Sequence, residues 1–122
     1  MPSAVYRVDP KTGHAAVVTD AVQGPNGLCF SPDESRLYVV ASRAAPERLS
    51  HVFDVVEDGT RLANGRVFAN CGEGTPDGFR CDVDGNLWCG WGTGPEINGV
   101  AVFNPECAAG QSLQRRTPPL CR

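Results

Sequence analysis

The chain has 122 residues, with 11 Lys and Arg against 14 Asp and Glu, giving a net charge of −3. That length suits one domain. The charge is spread evenly apart from Arg115-Arg116, and no apolar run is long enough to span a bilayer, so neither a nucleic-acid partner nor a membrane is expected.

Taken in order, the chain reads as short strands separated by turns. Val5-Tyr6-Arg7-Val8 alternates and predicts a strand over 4–8. Asp9-Pro10-Lys11-Thr12-Gly13 is a turn, and His14–Thr19 pairs back as a second strand. A third strand is expected near Gly27–Ser31 and a fourth over Arg36–Ala41, joined by the hairpin Pro32–Ser35. Ser42–Leu49 reads as a surface loop, because Pro46 interrupts it. His51–Val56 and Asn64–Asn70 are the next strands, with Glu57-Asp58-Gly59-Thr60 as a hairpin between them. Thr75-Pro76-Asp77-Gly78 reads as a polar turn. Strands over 78–83 and 86–91 follow it, with Asp84-Gly85 as their hairpin. Trp91–Asn98 is a glycine-rich loop, and Gly99–Asn104 a ninth strand. Helical periodicity is missing throughout, so the fold class is all-β.

A repeat organises these strands. Pro25-Asn26-Gly27-Leu28 aligns with Pro76-Asp77-Gly78-Phe79, and Leu37-Tyr38 aligns with Leu87-Trp88. A unit of four antiparallel strands recurring every 40–50 residues or so is the signature of β-propeller blades. Residues 4–19 then supply the last two strands of one blade. Residues 26–69 supply a whole blade, and 77–104 the first three strands of another. Two to two and a half blades cannot close a ring, so the expectation is a fragment. Residues 1–106 carry the propeller pattern. Residues 107–122 lose it, and Pro118-Pro119 cannot sit in a central strand, so this stretch is expected to be a divergent, irregular tail.

The six cysteines show no Cys-x-x-Cys pair and no zinc-ligand spacing. Cys29, Cys81 and Cys89 fall inside apolar strand patterns, where a thiol packs as a small hydrophobe. Residues 1–7 show no apolar export core, so reduced cysteines in a cytoplasmic protein are the expectation.

Asn26 and Asp77 start equivalent inner strands one blade apart. An amide oxygen and a carboxylate are hard donors suited to Ca²⁺, Mg²⁺ or Mn²⁺. A cation so held polarises a carbonyl and acidifies a bound water, and Asp77 could serve as general base. Pro-Asn-Gly and Pro-Asp-Gly are also ordinary turn sequences, and that reading stays open here. Asp82-x-Asp84-Gly85-Asn86 has its Gly too early for an EF-hand loop and reads as a β-turn. His14 and His51 lie near no nucleophile motif, and Trp88 and Trp91 read as packing residues near a rim.

With these residues in place, the sequence resembles the SMP-30/gluconolactonase/LRE family. The motifs are Gly24–Leu28 with Ser31-Pro32-Asp33, Arg36–Val39, Asp58-Gly59-Thr60, Thr75–Gly78, Asp82–Trp88, and Gly99-Val100 with Phe103-Asn104-Pro105. The resemblance implies a six-bladed propeller of about 290 residues at this repeat length. It implies one divalent metal (Ca²⁺, or Zn²⁺, Mn²⁺ or Mg²⁺) and hydrolysis of small-molecule sugar lactones. Asn26 and Asp77 match two metal ligands, and Asp77 matches the catalytic acid/base. The family's other metal-binding carboxylate and its substrate-contacting polar residues have no counterpart in these 122 residues, so the fragment is expected to be inactive or nearly so. A non-catalytic segment binding calcium or a protein partner is the alternative. The oligomeric state is left open.

Overall fold

The computed structural model describes residues 3–41, 48–72, 75–92 and 99–106; for 72, 75–77, 91 and 92 it describes the backbone alone. The expected loop over 42–47, the glycine-rich segment 93–98 and the tail 107–122 lie outside the described residues. All regular structure among the described residues is strand: β1 (Val5–Val8), β2 (Ala15–Thr19), β3 (Pro25–Phe30), β4 (Arg36–Ala41), β5 (Arg48–Val56), β6 (Arg61–Gly72), β7 (Thr75–Cys81), β8 (Leu87–Gly92) and β9 (Gly99–Phe103).

The strands form three antiparallel sheets, in the orders β1-β2, β3-β4-β5-β6 and β7-β8-β9. This is the partition into two, four and three strands that the repeat predicts. The boundaries of four strands differ from the sequence reading. β5 begins at Arg48, because Arg48, Leu49 and Ser50 pair onto neighbouring strands although Pro46 precedes them. β6 runs for 12 residues rather than seven, and register shifts against β5 break its alternation. Thr75–Gly78 belongs to β7 instead of forming a turn, and the same signal at Pro25-Asn26-Gly27 lies inside β3.

Two apolar layers hold the sheets together, one on each side of the four-stranded sheet. Tyr38, Val40, Val52, Phe68, Ala69 and Cys71 meet Phe79, Leu87, Cys89, Ala101 and Phe103 of the three-stranded sheet. On the other side Leu37, Val39, Ala41 and Phe53 meet Val5 and Val22. Strand β4 explains the arrangement. Its side chains alternate in direction, so Leu37, Val39 and Ala41 enter one layer while Tyr38 and Val40 enter the other. All five are buried. A strand buried on both faces reads as a continuous apolar run, which is how Leu37–Ala41 is written. The ring of Tyr38 meets Phe68 edge-on at 5.0 Å, and Phe68 meets Phe103 edge-on at 6.2 Å.

The β5–β6 pair carries a second device. Asn64 has a positive φ of 53°, and its amide donates to Asp54 Oδ2 at 2.9 Å. Arg66 reaches Asp54 Oδ1 through two nitrogens at 3.2 Å and donates to the Asn64 carbonyl at 2.7 Å. Between them, Gly65 leaves room for Phe53: a Cβ there would lie 2.6 Å from Phe53 Cε1. Gly65→Ala is therefore expected to push Phe53 out of its layer and cost about 1–3 kcal/mol. Equilibrium urea unfolding should show a lower midpoint with an unchanged slope.

A candidate metal centre on neighbouring inner strands

β3 and β7 are the first strands of their sheets and lie side by side without a shared backbone ladder. Both open on the same irregularity. On β3, Pro25 pairs with Ala41 and Leu28 with Val39, so three steps on one strand face two on the other. On β7, Pro76 pairs with Trp91 and Phe79 with Cys89, the same three against two. The extra residue in each is a β-bulge, a device that re-aims side chains at the end of a strand. The bulged residues are Asn26-Gly27 and Asp77-Gly78. Proline precedes each pair, at a strand's first residue on β3 and second on β7, where a missing N–H costs little pairing.

Asn26 is exposed, and the backbone of Asp77 holds the equivalent place one sheet along. The turn reading of these motifs thus gives way to matched bulges. The shared feature is a single oxygen-bearing residue at one position of two adjacent inner strands. Its donor chemistry, one neutral amide oxygen and one carboxylate, suits a hard divalent cation. Among the described residues no group of three or more His, Cys, Asp and Glu forms a candidate metal cluster.

The opposite ends of these strands carry hairpins built on carboxylates. Asp33 accepts from the Ser31 and Ser35 hydroxyls at 2.7 Å and from the Ser35 N–H at 3.0 Å. Asp82 accepts from the N–H groups of Asp84 and Asn86, from the Asn86 amide, and from Trp88 Nε1 at 2.9 Å. The Asp82–Asn86 segment is accordingly a tight hairpin, with Gly85 at φ 86°, as its early glycine predicts. Trp88 is 41% exposed and acts as a donor that steadies this loop. A cavity of about 370 Å³ lies between the two hairpins, lined by Ser31, Asp33, Arg36, Tyr38, Asp84 and Pro105. It sits at the far end of β3 and β7 from Asn26 and Asp77. His51 is half-buried on β5, where burial lowers its pKa, and His14 is exposed beside the first hairpin.

The hydroxyl of Ser35, then that of Ser31, brings the Asp33 carboxyl from 3.8 down to about 2. Because folding lowers this pKa, its stabilising contribution is present above pH 3.8 and is lost as pH falls through about 2. Replacing both serines with Ala is expected to return the Asp33 titration toward 3.8, read by NMR of the side-chain carboxyl.

Strands in four-membered antiparallel sheets, stacked face to face with matched inner edges, define blades of a β-propeller. The profile of the SMP-30/Gluconolactonase/LRE-like region matches residues 1–119, and the chain belongs to that family. Lactonohydrolase oryH of Aspergillus oryzae is 32% identical over 116 residues, covering 78% of this chain and 25% of its own length. The gluconolactonase of Zymomonas mobilis is 34% identical over 110 residues, covering 85% of this chain and 29% of its own. A gluconolactonase from Xanthomonas campestris superposes with a TM-score of 0.71 at 36% identity, covering 84% of this chain and 31% of that structure. The chain therefore spans between a quarter and a third of the length of these relatives.

The sequence missed the carboxylate-centred hairpins as organising features, although Ser-Pro-Asp-x-Ser and Asp-x-Asp-Gly-Asn are both legible as side-chain-to-backbone turn motifs. It also missed the contact between Cys29 and Cys81. Their sulfurs lie 3.8 Å apart across β3 and β7.

Proposed function

We propose that this chain is a segment of a metal-dependent lactone hydrolase, and that Asn26 and Asp77 are two of the donors to its divalent cation. The observation that carries the reading is the pair of matched bulges on β3 and β7. Membership of a family whose named relatives are a lactonohydrolase and gluconolactonases supports a sugar lactone as the substrate class.

Asn26 supplies a neutral amide oxygen and Asp77 an anionic one, which together favour Ca²⁺ over softer ions. A divalent cation held by these two residues would supply Lewis-acid polarisation of the lactone carbonyl. Asp77 takes a proton from the attacking water at its carboxylate. Water adds to the carbonyl carbon, the bond from that carbon to the ring oxygen breaks, and the ring oxygen takes up the proton that Asp77 accepted, giving the hydroxy acid and restoring the carboxylate. Cys29, Cys71 and Cys89 are buried among apolar side chains, where thiols pack as small hydrophobes, and this is the support for a cytoplasmic setting.

Two donors hold a cation weakly, and we expect this chain to show little or no turnover by itself. Purified protein with gluconolactone and Ca²⁺, Mn²⁺ or Zn²⁺ at near-neutral pH should release acid no faster than buffer. Calcium titrated into the protein should bind in about the millimolar range. No measurable binding would remove the metal reading. Rapid, chelator-sensitive acid release would show that the chain is self-sufficient.

A further inference from the structure

We propose that Cys29 and Cys81 are a redox pair that closes to a disulfide between two adjacent blades, with a peroxide as the oxidant. Four observations on the molecule converge on it. The two sulfurs are 3.8 Å apart, in van der Waals contact, although the residues are 52 positions apart in the chain. They sit on β3 and β7, which belong to different sheets and share no backbone hydrogen-bond ladder. Cys29 is buried, while Cys81 is partly exposed at the edge of the same apolar layer. Cys71 and Cys89, in the same apolar layer, are both buried, so peroxide has no comparable access to them.

Cys81 Sγ attacks one oxygen of the peroxide, the O–O bond breaks, and Cys81 becomes a sulfenic acid as one water leaves. Cys29 Sγ then attacks the Cys81 sulfur, the S–OH bond breaks, and the hydroxyl departs as a second water after taking the Cys29 proton. Two thiols have lost two electrons and two protons, and one hydrogen peroxide has become two waters. Burial pushes both thiols up; the neighbouring Cys81 adds to the rise at Cys29, whereas the hydrogen bond with Cys29 partly offsets it at Cys81. The reduced pair is accordingly slow to react and responds to sustained oxidant rather than to a trace. Closing the bond draws the sulfurs from 3.8 Å to about 2 Å, a movement shared between two strand ends. This proposal stands apart from the metal reading, because neither Asn26 nor Asp77 takes part in it.

The test uses the purified 122-residue chain, incubated with excess hydrogen peroxide, quenched, denatured and alkylated. The reduced protein offers six thiols to the alkylating agent, and the oxidised protein should lose two of them. Digestion with trypsin and chymotrypsin separates Cys81 from Cys89 by cutting after Leu87. A cross-linked species joining the Cys29 and Cys81 peptides should appear, and dithiothreitol should remove it. It should be absent from Cys29→Ser and from Cys81→Ala, the latter altering a partly exposed position. A Cys29 peptide that stays fully alkylated after peroxide, or that is found joined to any other cysteine, would overturn the proposal.

Discussion

Phe68→Ala is expected to be the most damaging single substitution in the described core. Its ring lies between Tyr38 of its own sheet and Phe103 of the next, edge-on to both. Removing a buried phenyl costs about 3–5 kcal/mol, and each aromatic contact carries about 0.5–1.5 kcal/mol beyond its buried area. Domains of this size are stable by about 5–15 kcal/mol in total, so the variant should lose at least about a fifth of its stability. Phe68→Leu keeps most of the volume and should lose about 1.5 kcal/mol or less. Equilibrium urea unfolding followed by tryptophan fluorescence reads both. If Phe68→Ala costs under about 1 kcal/mol, the blades are not held together through this ring.

The second large effect concerns cation affinity. Asp77→Asn removes the only anionic donor of the proposed pair and should weaken calcium binding at least about tenfold. Asn26→Asp should do the reverse, because it adds a second carboxylate at the matching bulge. Asp84→Asn, in the hairpin at the other end of β7 and β8, should leave binding unchanged and control for net charge. Calorimetric titration distinguishes the three. Equal losses at Asp77 and Asp84 would mean that calcium is responding to overall charge and not to a site on the inner strands.

The partition into three sheets was legible because apolar alternation and turn residues mark each strand and recur at a fixed interval. Leu37–Ala41 was legible as a strand, but its burial on both faces was not, because an unbroken apolar run fits a twice-covered strand without requiring one. The bulges were not legible as bulges. Pro-Asn-Gly and Pro-Asp-Gly carry residues that turns and bulges both favour, and only the pairing of Pro25 with Ala41 and Leu28 with Val39 separates the two outcomes. The ends of β6 were hidden for a related reason. Asn64 at positive φ shifts the register, so a period of two fails across Arg61–Arg66 although the strand continues. Asp54, with its links to Asn64 and Arg66, restores that pairing through side chains a local pattern does not see. Asn26 and Asp77 were legible as equivalent positions, because they share a motif. The Cys29–Cys81 contact was not, since it depends on how two sheets stack and not on either strand's own sequence.

The division of labour along β4 bears on how the protein tolerates change. Odd-numbered and even-numbered positions between 37 and 41 serve separate interfaces, so an exchange at Leu37 or Val39 and another at Tyr38 or Val40 share few partners. Their energetic penalties should then simply add. Each junction can accordingly drift in sequence without forcing the other to follow, whereas inserting one amino acid into β4 would scramble both junctions at a stroke.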